Sequence, residues 1–152
     1  MENVKYIIDT SSILAQKDDE PHRRKINKTL WNNIDNLIAE GRILTCSEII
    51  EEVNDKELKQ WFVSLKGIIL PIDDDVQNNV KKVVTTNPQL IDFKKIKSSG
   101  DAFLIATAMK YGLTVITEES KTGEKKIPFV CKNLKVPCVD ILGLCEAEGW
   151  NF

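Results

Sequence analysis

The sequence predicts an α/β fold: one domain of three layers, with helices on both faces of a mainly parallel sheet of about five strands. Three observations predict it. Short, β-branched apolar runs recur along the chain, helical patterns separate them, and 152 residues suit a single domain, 1–152. A chain of that size closes one hydrophobic core without disulfides or a structural metal. No repeat, low-complexity tract or Pro/Gly-rich linker marks a boundary.

The first strand, Lys5–Ile8, runs directly into Asp9 and the small hydroxyl residues Thr10, Ser11 and Ser12. In "TLWNNIDNLIAEG", Leu30, Ile34, Leu37 and Ile38 share one helical face and Gly41 stops the pattern. The second strand, Ile43–Cys46, leads into a helix with Ser47 as its N-cap, which the apolar spacing carries on through Leu58–Leu65. Gly67–Leu70 is the third strand. "DDDVQNNVKKVV" opens on acids suited to a helix N-terminus, which explains Asp73 to Asp75 without a site. Thr86 to Ser99, with Pro88 and mixed charges, fits a short helix and a loop equally. "DAFLIATAMKYG" starts a helix on Asp101 and closes it at Gly112. Thr114–Thr117 and Pro137–Val139 are the fourth and fifth strands, and "ILGLCEAEG" is a closing helix.

Composition bounds the function. No apolar run reaches the roughly 18 residues of a membrane span. The N-terminus lacks a secretory pattern, so a cytoplasmic protein with no membrane partner is expected. Cys46, Cys131, Cys138 and Cys145 include no C-x-x-C pair, so they read as reduced, buried, small apolar residues and not as a zinc site. A net charge of −2 supplies no global basic field for nucleic acid, although a bound cation inverts the field locally. No strand is followed by G-x-G-x-x-G and no P-loop is present, which disfavours nucleotide enzymes of those types.

Ligands of open parallel sheets bind beyond the C-terminal strand ends. Asp9 follows the first strand, Glu118 and Glu119 follow the fourth, and Asp101 opens the helix that leads into the fourth. On the helix after the second strand, Ile49, Ile50 and Val53 define the apolar face, and Glu52 lies about 60° from Ile49 at its margin. Glu48 and Glu51 project further toward solvent. Asp9, Glu52, Asp101 and Glu119 are therefore expected to converge from four distant parts of the chain, although periodicity does not decide between Glu118 and Glu119 as the fourth. Four close carboxylates repel one another, and a hard divalent cation, Mg²⁺ or Mn²⁺, resolves that. Lys125 and Lys126 follow the acidic edge, either contacting a substrate phosphate or forming a solvated loop. "HRRKINK", residues 22–28, is either a solvated face or a phosphate or acidic-partner contact. Trp31 and Trp61 read as core or interface.

This order of residues resembles the PIN domain family, metal-dependent ribonucleases that include the VapC-type toxins, in a less characterised branch. The resemblance rests on "YIIDTSSIL", Glu52–Val53, "GDAFLIATAMKYGLTVITEE" and "VPCVDI", and covers nearly the whole chain. It implies a metal-dependent endoribonuclease, the toxin of a toxin–antitoxin pair. Implied partners are an RNA substrate, a small antitoxin protein and a second copy of the chain; the apolar faces around Trp31, Trp61 and Phe62 point to the same homodimer. It puts the four family acids on Asp9, Glu52, Asp101 and Glu119. The last stands where the family usually has Asp, two residues after a Thr. Ser11 stands where the family often has Asn, small enough to let an RNA phosphate approach. The rival reading is a PIN-like module that binds RNA or a protein without turnover. A response-regulator receiver is disfavoured, because Thr10 stands where the second acid of its pair is expected and Pro71 where the phosphoacceptor is expected.

Overall fold

The computed structural model describes residues 4–88, 99–123 and 126–151. Its elements run β1 (Tyr6–Ile8), α1 (Thr10–Leu14), α2 (Lys28–Ala39), β2 (Ile43–Cys46), α3 (Ser47–Glu52), α4 (Lys56–Ser64), β3 (Ile69–Leu70), α5 (Asp74–Thr86), α6 (Ser99–Tyr111), β4 (Thr114–Ile116), α7 (Ile127–Leu134), β5 (Cys138–Val139) and α8 (Ile141–Glu148). The five strands form one sheet in the order β3-β2-β1-β4-β5. Every pairing is parallel, with Tyr6 opposite Ile43 on one side and Thr114 on the other. The expected α/β architecture is present. Tyr6, Ile7 and Ile8 are all buried, as befits a central strand covered on both faces.

β1 and β4 are neighbours, yet the chain leaves β1 toward β2 and leaves β4 toward β5. The crevice between their C-terminal ends is thus the switch point where such sheets bind ligands. Asp9 and Thr117 stand directly at it.

Several boundaries differ from expectation for local reasons. The helix predicted from Ser47 through Leu65 is two helices. Val53 is extended (φ −73°, ψ 111°), and the Asp55 carboxylate accepts the Glu57 and Leu58 N–H groups, capping α4 anew. Asp101 is not the first residue of its helix: α6 begins at Ser99 and Asp101 lies in its first turn. α1 and α7 were not anticipated. Asp9 caps α1, and α7 carries Pro near its start and ends at Lys135 in a left-handed conformation. β3 is a partly exposed edge, with Ile69 37% accessible, not a buried strand. Of the Thr86–Ser99 segment, residues 89–98 lie outside the described residues.

Trp31 and Phe62 are fully buried within this chain's own core, and Trp61 packs edge-on against both. They consequently lend no support to the dimer expected from them. Arg24, from the basic run, is used the same way. It makes two hydrogen bonds to Asp35 (2.9 and 3.0 Å), and its guanidinium lies 5.5 Å from the Trp31 ring centre and 5.7 Å from that of Trp61.

At the N-terminal ends of β1 and β2, Glu148 at the end of α8 ties the two strands together. It accepts two hydrogen bonds from Arg42 and one from the Tyr6 hydroxyl, all at 2.7 Å. Arg42 holds the Glu148 carboxyl below its ordinary value. Because the folded value is depressed, this contribution to stability is present above the unfolded value of 4.5 and is lost as pH falls through the folded one. Glu148→Gln is expected to cost about 2 kcal/mol at pH 7, read by denaturant unfolding, and little at pH 3. An equal cost at both pH values would show that the charge is irrelevant there.

Candidate active site

Asp9 is 2% exposed, and its fate is decided by the turn that follows β1. Its Oδ1 accepts the Ser12 backbone N–H at 2.9 Å, the N-cap bond of α1. Its Oδ2 accepts the Thr117 hydroxyl at 2.6 Å, and the Ser11 hydroxyl lies within 2.8–2.9 Å of both oxygens. Burial pushes the Asp9 carboxyl up; the Thr117, Ser12 and Ser11 hydrogen bonds pull it down. Ser11 also accepts the Glu118 N–H at 3.0 Å, and Thr117 accepts the Glu119 N–H at 3.1 Å. The two strand ends are thereby tied together through Asp9.

Glu52 ends α3 and reaches the same crevice. Its Oε1 accepts the Thr10 hydroxyl at 2.6 Å. Its Oε2 lies only 2.1 Å from where a Cβ on Gly100 would be, so any side chain at position 100 would displace the carboxylate. Glu51 is exposed, as expected. Glu48 is half-buried, its carboxyl pushed up by burial and then by Glu51 and Glu52, so it is less solvated than its helical angle implied.

Asp101 reports the convergence. Its carboxyl is pushed up to about 7, first by burial and then by the charges of Glu119, Asp9 and Glu52. Lys126 opposes the shift and also acts on Glu119. Glu118 and Glu119 divide their roles. The Glu118 Oε1 accepts the Ile141 N–H at the start of α8 (2.7 Å). The Glu119 Oε1 accepts the Ile127 N–H at the start of α7 (3.1 Å), while Glu119 faces Asp9 and Glu52. Lys126 is exposed at the N-terminus of α7. Lys125 lies outside the described residues.

Among the described residues, no three His, Cys, Asp or Glu side chains stand close enough together to hold a metal ion as placed. The chemistry of the donor set nevertheless fits a hard divalent cation. All donors are carboxylate oxygens, and Asp101 is destabilised as an anion by the other three. Uncompensated, such acids repel.

Two contributors were not singled out from sequence as parts of the site: Thr117 and Gly100. Thr117 was legible only as the residue ending a strand. Gly100 carried a signal, a residue without a side chain directly before a candidate acid. All four cysteines are free thiols, with Cys46 and Cys131 buried and Cys138 and Cys145 half-buried. No helix among the described residues is long and apolar enough to cross a membrane.

The family model described as Domain of unknown function (DUF4411) matches residues 6–152. The chain belongs to that family. No curated protein matches the sequence. Among solved structures, the DUF4411 chain is similar to FitAcB from Neisseria gonorrhoeae at TM-score 0.58 and 20% identity, over 90% of this chain and 98% of that one. It is likewise similar to VapBC2 from Rickettsia felis, solved bound to a DNA fragment from their promoter, at TM-score 0.56 and 16% identity, over 90% and 98%. FitAB bound to the IR36 DNA fragment follows at TM-score 0.54 and 18% identity, over 90% and 94%. These likenesses establish the fold of the DUF4411 chain as the PIN-like fold that its residues resembled.

Proposed function

We propose that this protein is a divalent-cation-dependent endoribonuclease that hydrolyses RNA phosphodiester bonds, the cytoplasmic toxin of a toxin–antitoxin pair. The proposal is supported by the Asp101 carboxyl, which burial first and then the charges of Glu119, Asp9 and Glu52 push up beside the switch-point crevice. Asp9, Asp101, Glu119 and Glu52 would hold Mg²⁺ or Mn²⁺. When bound, such a cation activates water and steadies the charge on a phosphoryl group. The chain's own residues do the positioning. Ser11, Ser12 and Thr117 fix the Asp9 carboxylate, and Thr10 fixes Glu52. Ser11 acts through Asp9. Lys126, and with it Lys125, would meet substrate phosphates. The likeness to FitAcB and VapBC2 supports a small antitoxin partner; a homodimer is part of the same reading.

A second reading, a binding module without turnover, is favoured by one observation: Glu119 already spends one carboxylate oxygen on the Ile127 N–H.

Purified protein with Mn²⁺ or Mg²⁺ is expected to cut a panel of transfer, ribosomal and messenger RNAs, and to stop with chelator. Within α3, Glu52→Gln is expected to lower the rate at least about 30-fold, roughly 2 kcal/mol, while Glu51→Gln stays within about twofold. The reverse order would overturn the placement of Glu52. No cleavage of any RNA under either metal would favour the binding module.

A further inference from the structure

A cleft of about 380 Å³ opens beside Glu119. Thr117, Glu119 and Lys121 from the end of β4 form one wall, Pro128 and Lys132 of α7 a second, and Val136 and Val139 the apolar floor. We infer that this cleft seats a nucleotide of single-stranded RNA next to the scissile phosphate, with its base against Pro128, Val136 and Val139 and its phosphate between Lys121 and Lys132. The inference rests on the ribonuclease reading for its substrate.

Position carries the argument first. The cleft shares Thr117 and Glu119 with the candidate active site, and Thr117 is hydrogen-bonded to Asp9. A polymer held at Asp9 and Asp101 therefore needs only its next residue to enter. Size agrees, since the volume lies at the small end of the roughly 300–1,000 Å³ typical of ligand sites. Chemistry is the third element. An apolar floor accepts the face of any base, and stacking or packing of that kind tolerates every sequence. The two lysines at the rim complement a phosphate. Lys132 is exposed on α7. Lys121 is largely exposed and lies 3.4 Å from the half-buried Asp140, a single ion pair with which a phosphate would compete. A chain with net charge −2 has no general basic surface for RNA; Lys121 and Lys132, which share the cleft with Glu119 and Asp140, are the cations a backbone phosphate would meet there.

The test is the binding of a 5′-fluorescein single-stranded hexaribonucleotide to protein kept metal-free with chelator, read by anisotropy across a salt series. The double variant Lys121→Gln with Lys132→Gln is expected to bind at least about tenfold more weakly. Its slope of log affinity against log salt should be shallower by about 0.7, the contribution of one phosphate on a single strand. Val139→Phe, which fills the floor, should weaken binding by a similar factor with the slope unchanged, and should shift the cut sites in an RNA panel with Mn²⁺. Both lysines are exposed, so the double variant tests the assignment even if Val139→Phe fails to fold. Unchanged affinity and slope in the double variant overturn the assignment, whether or not RNA is cut. Binding that depends on these residues in a protein that cuts no RNA leaves the cleft assigned and removes the ribonuclease reading.

Discussion

Asp9→Asn and Asp101→Asn are each expected to lower the rate of RNA cleavage by at least about 100-fold, which corresponds to roughly 2.7 kcal/mol of transition-state stabilisation. The size follows from where the charges sit. Asp9 is buried at the end of a paired strand, so its position is held by the sheet and by Ser12 and Thr117. Removing its charge removes a preorganised anion that water does not replace. The substitution leaves the fold in place, because an Asn oxygen still accepts the Ser12 N–H and the Ser11 and Thr117 hydroxyls rotate to accept from the amide. Circular dichroism should therefore match wild type while single-turnover cleavage collapses. A folded Asp9→Asn protein that cuts RNA at the wild-type rate would remove Asp9 from the chemistry.

The opposite sign is expected for stability. Without added cation at pH 8, Asp101→Asn should be more stable than wild type by up to about 4 kcal/mol, a rise of several degrees or more in melting temperature for a chain of this length. The Asp101 carboxyl moves from an ordinary 3.8 to about 7 on folding. Between those values the folded state holds a proton that the unfolded state has released, so wild-type stability falls as pH rises through the window. Asn carries no charge, so the variant escapes that loss, and the two proteins should converge at pH 4. Mn²⁺ should stabilise wild type and leave the variant nearly unmoved, since a ligand stabilises only the state that binds it. A variant less stable than wild type at pH 8 would mean that Asp101 serves the fold.

Much of this was legible in the chain because burial leaves a periodic trace. The strand cores at Tyr6–Ile8 and Ile43–Cys46 were visible as short, mostly apolar runs, and their order with the helices set the parallel sheet. Asp9 stood out for the same reason, an acid at the end of such a run. Glu52 was found by its angle on α3, and that angle was usable because α3 is regular up to it. What was hidden lay in local hydrogen bonds with no periodic signature. The break after Glu52 depends on Asp55 capping α4, and α7 depends on Glu119 accepting the Ile127 N–H across a loop. Glu118 and Glu119 look alike in the sequence and each caps a helix; among the causes acting on Asp101, Glu119 comes directly after burial. The tryptophans misled because an apolar helix face does not say whether its partner is the same chain or another.

In the proposed site, carboxylates from four separate elements would together hold divalent metal. Isothermal titration of metal-free protein with Mn²⁺ at pH 7.5 tests this most directly. Wild type is expected to show saturable binding, weakened at least about tenfold in each of Asp9→Asn, Asp101→Asn and Glu119→Gln and unchanged in Glu51→Gln. Equal Mn²⁺ affinity in wild type and all three site variants would contradict it.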